Sequence, residues 1–460
     1  MMPIRPSSPL ALSLLCAMAL AGAGCGSRNP ADLDQARAPI DPLVFDDAYA
    51  PDVYFQAFMD TDPYAVGTDS VFVQSGDHSL TITVPPEGSN LGAWAGGVLT
   101  AVAGRDLADF NALTFYARAS IPCAMDVFGY GNDNTGTSHL TAGRSGIPLT
   151  TAWSFVVVPL PAPAKLVSER GMFTFAEGRE VGHPEGHRIW IDDIRFARLD
   201  NVTDPQPTLK PLNKQYFVGT TARLDSVHTV FSVDGAPVRV DHMPGYFDFS
   251  SSDPSVATVV RNEIRMVGLG EAVITATLGG MPVEGAVTVS GHQPPPAPAT
   301  PPTLPAADVV SLFSGVYPDA TVVNWNPRWQ YSTAEDGLFT IDGDLSRFYT
   351  FLNFVGVDFH LNTIDVTAMT HLHLDVYAPA GTRFLVKLVP FSGDNGWGTG
   401  SSELAFDAST TPAFVAGGWS SLEIPLADFG FTVPLDHLGQ IVLSTPDASV
   451  VLVDNIYFHR

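Results

Sequence analysis

Residues 191–196 read Ile-Asp-Asp-Ile-Arg-Phe, and residues 453–458 read Val-Asp-Asn-Ile-Tyr-Phe. Because successive side chains of a strand point to opposite faces, strict alternation places one carboxylate, Asp192 or Asp454, on the core face of each strand. The side chains expected to share that face are Trp190, Asp192, Ile194 and Phe196 in the first strand and Leu452, Asp454, Ile456 and Phe458 in the second. We therefore expect two related β units, each closed by a strand that carries one buried acid.

Three further matches occur in the same order in both units. A Phe and a Tyr four residues apart open each unit, an Asp then precedes apolar residues at fixed spacing, and a Trp-Ser pair begins a segment that ends in Pro-Leu. The matched segments are 45–49 with 313–317, 106–115 with 365–374, and 153–160 with 419–426. Together with the closing strands they indicate an internal repeat.

The composition favours many short strands joined by turns. The 460 residues include 41 Gly and 38 Pro, and 15% are charged whereas 45% are hydrophobic. This mix argues against long solvated helices and coiled coils. Segments that alternate with period two between Gly, Pro, Asn and Asp are typical of antiparallel sandwiches. The expected fold is all-β, with two jelly-roll sandwiches and a third β-sandwich module between them.

The net charge of −25 limits the classes of partner. Affinity for nucleic acid comes mainly from Lys and Arg side chains that displace counterions, so this chain is not expected to bind nucleic acid. Anionic membrane surfaces are disfavoured for the same reason. The charge leaves neutral molecules and divalent cations as possible partners.

Pro-rich punctuation divides the chain, most clearly at 293–302, which reads Gln-Pro-Pro-Pro-Ala-Pro-Ala-Thr-Pro-Pro and predicts a semi-rigid spacer. The expected organisation is an export signal at 1–25, a flexible tether at 26–39, a jelly roll at 40–200, a middle sandwich at 207–291, a Pro-rich linker at 292–304 and a second jelly roll at 305–460.

The first 25 residues have the features of an export signal: one Arg, an apolar stretch and then small residues. An Ala-x-Ala site at 21–23 would release a soluble, secreted protein. Alternatively, Cys25 resembles the lipidated Cys of a bacterial lipoprotein. We favour the lipoprotein, because Cys is otherwise nearly absent and a polar tether follows. The expected location is the cell surface or outer membrane, with the lipid on Cys25 as the contact with the membrane.

Both outer units resemble the galactose-binding-like jelly rolls of bacterial carbohydrate-binding modules, whose last strand commonly reads apolar-Asp-Asp/Asn-apolar-x-Phe. The second unit resembles the modules appended to secreted bacterial polysaccharide-degrading enzymes, through residues 312–317, Trp325-x-x-x-Trp329 and 354–356. The family pattern has Asp where this chain has Gly315.

The middle unit resembles bacterial Ig-like domains of the BIG2 type, through segments 249–259 and 268–276. The resemblance implies an Ig-like sandwich there. It fixes no ligand, because one fold hosts many functions.

An unpaired buried carboxylate is costly, so Asp192 and Asp454 need a hydrogen-bonding partner, a cation or a proton. Structural Ca²⁺ is one expectation, which the resemblance favours because related sandwiches often hold calcium at this position. Candidate additional ligands are Asp46 and Asp47 in the first unit and Asp308 or Asp319 in the second. The alternative is that both acids accept bonds from backbone N–H or Ser/Thr groups at a strand end.

Sugar rings stack on aromatic side chains while their hydroxyls bond to planar polar groups, so a glycan site needs exposed Trp or Tyr beside such groups. The candidate ligand-binding residues are Trp325, Arg328, Trp329, Tyr331, Asp394, Asn395 and Trp397 in the second unit and Trp94, Tyr130 and Asn132 in the first. Trp153, Trp190 and Trp419 are assigned to the core from their strand positions.

Metal sites other than calcium have little support in the sequence. His371 and His373 alternate within one strand, and without a third ligand we interpret them as one strand face. Cys123 stands alone in the folded region and is interpreted as a small buried apolar residue.

The sequence contains no nucleophile elbow, phosphate-binding loop or compact pair of glycosidase carboxylates. The expected function is therefore non-catalytic binding of a polysaccharide, with a neutral glycan favoured. The alternatives are a structural or adhesive surface protein that binds protein partners, and a glycan-active hydrolase or lyase.

Overall fold

The computed structural model describes residues 38–225, 227–448 and 450–460. The expected export signal, Cys25 and most of the expected tether lie outside the described residues. Within the described chain, no helix is long and apolar enough to cross a membrane. Over the described ranges the fold is all-β, as expected, and the helical segments there are short 3₁₀ turns. These turns are Pro163–Lys165, Pro244–Tyr246, Ala306–Asp308, His360–Asn362 and Leu426–Phe429.

Two antiparallel sheets form the N-terminal sandwich. In chain order its strands are β1 (Leu43–Asp46), β2 (Ala48–Tyr49), β3 (Val53–Ala57), β4 (Val66–Asp69), β5 (Ser79–Val84), β6 (Ala95–Arg105), β7 (Ala112–Ala119), β8 (Cys123–Tyr130), β9 (Ala142–Leu149), β10 (Ser154–Pro159), β11 (Glu169–Glu177) and β12 (His187–Ala197). The first sheet has the order β10-β7-β12-β1-β2, and β5 pairs with both β12 and β4. The second sheet contains β9-β8-β11-β6-β3.

The middle of the chain adds two smaller sheets. Its strands are β13 (Val202–Leu209), β14 (Leu212–Phe217), β15 (Thr221–Arg223), β16 (Val227–Val233), β17 (Ala236–His242), β18 (Asp248–Ser251), β19 (Ala257–Val260), β20 (Glu263–Met266), β21 (Gly270–Leu278), β22 (Met281–Pro282) and β23 (Val287–His292). One sheet is β14-β23-β21-β18 with β22, and the other is β15-β20-β19. Strands β13, β16 and β17 instead extend the second sheet of the N-terminal sandwich, because β17 pairs with β9.

The C-terminal sandwich repeats the N-terminal topology. Its strands are β24 (Val309–Phe313), β25 (Glu335–Ile341), β26 (Asp344–Thr350), β27 (Phe354–Asp358), β28 (His371–Tyr377), β29 (Phe384–Pro390), β30 (Ser402–Phe406), β31 (Trp419–Pro425), β32 (Leu438–Ser444) and β33 (Val450–His459). The first sheet is β25-β26-β33-β28-β31 with β24 on β33, which matches β4-β5-β12-β7-β10 with β1 on β12. The second sheet, β27-β32-β29-β30, matches β6-β11-β8-β9. The internal repeat predicted from the sequence is confirmed.

The closing strands contain a bulge that overturns one prediction about their faces. Asp193 has φ 53° and Asn455 has φ 49°, a left-handed conformation that Asp and Asn tolerate better than most residues. At this point the β12 register skips from Asp192 opposite Tyr116 to Arg195 opposite Thr114. A bulge of this kind reverses the alternation beyond it.

The prediction that Asp192 lies on the core face is therefore wrong, because Asp192 and Tyr116 lie opposite each other on the outer face. Ile191, on the core side, is opposite Ala117. In β33, Val453 and Ile456 both belong to the core of the C-terminal sandwich, so the alternation also reverses between them. Asp454 is opposite Asp375 on the outer face.

Both acids are nonetheless buried, with 0% exposure for Asp192 and 1% for Asp454. The backbone N–H groups of Gln74 and Ser75 donate to Asp192 Oδ2 at 2.8 and 3.2 Å. Ser346 Oγ donates to Asp454 Oδ2 at 2.9 Å. Each acid also accepts the N–H of the bulge residue that follows it, at 2.8 and 2.7 Å. Both acids thus accept the kinds of bond named in the alternative interpretation, and calcium binding stays a prediction.

The middle and C-terminal sandwiches are joined by a packed interface. Phe217 contacts Phe339, Phe348 and Tyr377, with ring centroids 5.6 to 5.9 Å apart. Beside this aromatic group, Glu335 accepts a bond from Lys214 Nζ at 2.8 Å, and Tyr216 donates its hydroxyl to the same carboxylate at 3.0 Å. The outer face of the C-terminal first sheet is therefore partly buried under the middle sandwich.

The Pro-rich linker 292–304 is docked on the same outer face. Tyr377 donates to the carbonyl of Gln293 at 3.0 Å, Trp419 Nε1 to Ala297 at 2.9 Å and Asn455 Nδ2 to Thr300 at 3.2 Å. The assignment of Trp419 to the core is wrong, since it lies half-buried under the linker. Trp153 and Trp190 flank Arg118 on the outer face of the N-terminal first sheet, where Trp190 is buried, as predicted, and Trp153 is half-buried.

A substitution at Asp193 tests the bulge. Asp193→Val should lower the free energy of unfolding by about 1–3 kcal/mol, because a β-branched residue is strained at positive φ. Asp193→Gly, which accepts this φ without strain, should cost less than the Val variant. Denaturant unfolding of the two variants measures the difference, and equal losses would contradict a role for the left-handed conformation.

Candidate functional site

Trp329 lies on the outer face of the C-terminal second sheet. Its indole occupies the position where a Cβ atom on Gly356 would project, so the ring packs directly on the backbone of β27. Val355 and Val357, on either side of Gly356, point into the core. Gly356 therefore faces outward, and only Gly allows the ring so close to the strand. Trp329 is half-buried and leaves part of its surface to solvent.

Polar side chains continue this face one pleat further along β27. Asp358 is opposite Gln440 of β32, and Gln440 Nε2 donates to its carboxylate at 3.1 Å. His360 Nδ1 contacts the two carboxylate oxygens of Asp358 at 2.8 and 2.9 Å. Its ring stacks on Phe391 with centroids 5.8 Å apart. These bonds fix a set of planar hydrogen-bonding groups next to the Trp329 platform.

The centre of the face is apolar and its far side is charged. Val442 is opposite Gly356 and continues the apolar surface beyond the indole ring. Lys387 of β29 is opposite Val442 and forms an ion pair with Glu403 of β30 at 3.3 Å. The face thus combines an aromatic ring, an apolar strip and polar groups on both sides.

The predicted loop residues 394–397 lie near one end of this face. The N–H of Asn395 donates to the carbonyl of His360 at 2.8 Å, which ties the loop to the Asp358 side. Asp394 accepts two bonds from Thr363, and these lower the pKa of its carboxyl group. Trp397 is 86% exposed, so its indole is available to a ligand.

The other predicted aromatic and Arg residues of this unit are elsewhere. Trp325 packs edge-on against Phe313 and under the guanidinium of Arg347, 4.5 Å from its ring centroid, and not on the Trp329 face. Arg328 lines a cleft of about 720 Å³ between the middle and C-terminal sandwiches. Tyr331 is 80% exposed and has φ 72°. The structure therefore keeps Trp329 as the aromatic platform of the sheet and separates Trp325 from it.

In the N-terminal sandwich, Trp94 is the candidate that the structure places in a cleft. This cleft, of about 540 Å³, is also lined by Asp60 and Asn90. The prediction that Tyr130 contacts a ligand is wrong: its side chain is 0% exposed and its hydroxyl donates to the carbonyl of Pro159. Asn132 accepts a bond from the N–H of Asn134 within a turn.

Trp94 and Trp329 occupy related positions in the repeat. A Cβ atom on Gly96 of β6 would collide with Trp94, as one on Gly356 of β27 would collide with Trp329. Strands β6 and β27 correspond to each other in the two second sheets. In each sandwich, therefore, an indole packs on a glycine of the corresponding strand.

The six predicted calcium ligands do not form common sites. In the N-terminal sandwich, Asp46 faces the guanidinium of Arg195 at 3.7 Å, and Asp47 accepts the N–H groups of Asp77 and His78. Both oxygens of Asp192 face N–H donors. Carboxylates surrounded by hydrogen-bond donors do not fit a cation that needs six to eight oxygen ligands.

In the C-terminal sandwich, Asp308 pairs with Arg460 at 3.4 Å and Asp319 accepts a bond from Ser311 at 2.6 Å, so neither accompanies Asp454. Burial and the nearby acids Asp344 and Asp375 together raise the pKa of Asp454 to about 6, against the bonds from Ser346 and Asn455, which lower it. Calcium at Asp454 stays a prediction.

Sequence reasoning missed Asp358, His360 and Gln440. The signal for Asp358 was present, because it lies two residues after Gly356 and alternation puts both on one face. Gln440 and His360 could not be found in this way, since the pairing of β27 with β32 and the turn after β27 are tertiary features.

No family model and no curated protein matches the sequence. Among solved structures, the chain is similar to the family 30 carbohydrate-binding module of the cellulosomal cellulase Cel9D-Cel44B of Clostridium thermocellum, with 18% identity over 35% of this chain and 96% of that one and a TM-score of 0.25.

A family 11 module from Clostridium thermocellum, in complex with a β-1,3-1,4-mixed-linked tetrasaccharide, shows 14% identity over 30% and 90% of the two chains, with a TM-score of 0.24. The CBM22-1–CBM22-2 tandem domain from Paenibacillus barcinonensis Xyn10C shows 12% identity over 93% and 100%, with a TM-score of 0.20. Similarity at these scores assigns neither a family nor a ligand to this chain.

The contact of Trp329 with Gly356 can be tested directly. Gly356→Ala should displace the indole from β27, because the added methyl group occupies the volume of the ring. The expected result is a red shift of tryptophan emission and greater quenching by acrylamide, with unchanged far-ultraviolet circular dichroism. In the background Trp329→Phe the same substitution should leave the emission unchanged, and a shift there would contradict the contact.

Asp454 should make folding stability depend on pH. Its folded pKa of about 6 exceeds the usual 3.8, so this group favours folding below pH 4 and loses that contribution as the pH rises through 6. Asp454→Asn should remove this loss and be more stable than wild type at pH 7.5 by about 1–3 kcal/mol, with little difference at pH 4.

Denaturant unfolding at the two pH values measures this effect, and an identical pH dependence in the variant would contradict it. Calcium chloride at pH 7.5 provides a second measurement. If Ca²⁺ binds at Asp454, it should stabilise wild type and not Asp454→Asn.

Proposed function

We propose that this protein binds a polysaccharide on the outer face of the C-terminal second sheet. The observation that carries the proposal is the indole of Trp329 held on Gly356 beside the bonded group formed by Asp358, His360 and Gln440. The apolar C–H face of a sugar ring would stack on the indole, and its hydroxyls would bond to the carboxylate and amide.

A neutral glycan suits this face best. The charges nearest to the indole occur as pairs, Asp358 with His360 and Lys387 with Glu403, so an acidic sugar would meet no free cation among them. The whole-chain charge of −25 also opposes an anionic polymer.

We infer that the face binds without catalysis. Glycoside hydrolysis needs two carboxyl groups free to act on either side of the scissile bond. Here Asp358 is engaged by Gln440 and His360, and Glu403 by Lys387. Incubation with polysaccharides should therefore release no reducing or unsaturated ends, and release that Asp358→Asn abolishes would contradict this inference.

The proposal includes an exported protein, anchored at the cell surface by lipid on Cys25 or secreted, since residues 1–25 have the pattern of an export signal. The middle sandwich would act as an Ig-like spacer of fixed geometry between the two outer units. The Trp94 cleft would be a second, weaker contact with the same polymer, and two contacts on one rigid chain increase avidity for a repeating ligand.

Affinity electrophoresis with a panel of neutral and acidic polysaccharides tests the proposal. Wild type should be retarded by at least one neutral polymer, and Trp329→Ala should weaken that binding by about 30-fold, as expected for loss of an aromatic anchor. Gln440→Ala should weaken it less, and Trp94→Ala only for long chains that can reach both sandwiches.

Phe155→Ala is the matched control, because Phe155 is an exposed aromatic residue of β10 in the N-terminal first sheet, outside both proposed contacts. It should be retarded like wild type. Retention of full binding by Trp329→Ala would remove the site from this face.

A further inference from the structure

A second group of potential ligands lies on the opposite sheet of the C-terminal sandwich, near the end of the chain. His371 of β28 is opposite His459 of β33, and His373 is opposite Glu423 of β31. Ligand atoms of His371, Glu423 and His459 all lie within 4.8 Å of one another. The pairing of three adjacent strands thus supplies the third ligand that the sequence of β28 alone does not show.

The two histidine rings are held close and parallel. Their centroids are 5.3 Å apart with an interplanar angle of 11°. The Glu423 carboxylate contacts His459 Nε2 with one oxygen and His373 Nδ1, at 2.7 Å, with the other. Two imidazoles and one carboxylate are therefore gathered on one patch of the sheet.

Hydrogen bonds orient the histidine rings for metal binding. His459 Nδ1 lies 2.9 Å from the carbonyl of Arg460, and only a protonated nitrogen can bond to a carbonyl. In the neutral ring this leaves a lone pair on Nε2, which faces the Glu423 carboxylate. A cation that ligates both atoms would replace this direct contact, and a backbone carbonyl on the other ring nitrogen is the usual support of a metal-binding histidine.

His371 has a similar support. Thr370 Oγ1 lies 2.8 Å from His371 Nδ1, which leaves Nε2 of the ring for a ligand. Glu423 has 44% of its side chain exposed, whereas His459 has 11%, so an ion could enter from the carboxylate side. Solvent on that side could also supply a fourth ligand.

We propose that His371, Glu423 and His459 form a binding site for a transition-metal ion, with Zn²⁺ as the best match. Imidazole nitrogens suit Zn²⁺, Cu²⁺ and Ni²⁺ and are poor ligands for Ca²⁺, so this site differs in kind from a calcium site at Asp454. Three protein ligands and one water complete the tetrahedral geometry that Zn²⁺ prefers. The ion would tie β31, β28 and the last strand of the chain together.

Calorimetric titration of the full chain with zinc chloride, after removal of any histidine tag, tests the site. Wild type should bind one ion at this site and gain thermal stability when it does. The double variant His371→Ala/His459→Ala should bind at least about tenfold more weakly and gain no stability. Calcium chloride should not compete.

His437→Ala is the control, because His437 is a half-exposed histidine of the same sandwich that contacts Asp436 and not this group. It should bind zinc like wild type. Circular dichroism in the presence of EDTA establishes that the variants fold. If the double variant does not fold, Glu423→Gln replaces it and should show the same loss.

Two results would overturn the proposal. Absence of zinc binding by wild type would leave the three side chains as a hydrogen-bonded group with a proton in place of the metal ion. Binding that persists in the folded variants would place the ion elsewhere, for example at the second group of this kind, Cys123, Glu177 and His187.

Discussion

The left-handed residue in each closing strand is the constraint on which the rest of the structure depends. A single residue at positive φ, Asp193 or Asn455, lets one strand place apolar side chains in the core on both sides of a buried acid. The acid itself is turned to the outer face, where N–H and hydroxyl donors reach it. Because the bulge residue donates its own N–H to the preceding carboxylate, the acid and the bulge stabilise each other.

The C-terminal bulge also determines which faces of that sandwich stay open. Turning Asn455 outward allows its amide to bond to the linker at Thr300 and to Asp375. The linker and Phe217 of the middle sandwich then cover much of the outer face of the first sheet. Proline residues lack an N–H donor but keep their carbonyl acceptors. Side chains of the sheet donate hydrogen bonds to carbonyls of the linker. The outer face of the second sheet, which carries Trp329 and Val442, stays partly exposed.

The all-β fold and the repeat could both be predicted, because each depends on local sequence patterns. Turn residues between short apolar runs indicate the fold. The matched spacings and the closing segments Asp-Asp-Ile and Asp-Asn-Ile before Phe indicate the repeat. The prediction of which side chains share a face was wrong where a single residue at positive φ changes the strand register. Strict alternation put Asp192 in the core and Trp190 with it, whereas the Asp193 bulge puts both on the outer face. The prediction that Tyr130 contacts a ligand was wrong for a different reason. Its position beside a polar turn does not show that its ring points into the core.

The repeat also shows how the proposed binding faces of the two outer units differ. Each second sheet carries an indole on a glycine, and the next outward position along that strand is Asp358 in one unit and Val98 in the other. The partner across the strand pair is Gln440 in the first case and Thr174 in the second. A carboxylate and an amide form a planar pair that can bond to two sugar hydroxyls, whereas Val98 and Thr174 are buried and present no polar group to a ligand. In the proposed function, Asp358 and Gln440 would orient a sugar ring beside Trp329 on the sheet itself. Asp60 and Asn90, the polar residues beside Trp94, lie in turns that line its cleft, so the C-terminal site holds its polar groups on paired strands and the N-terminal one does not.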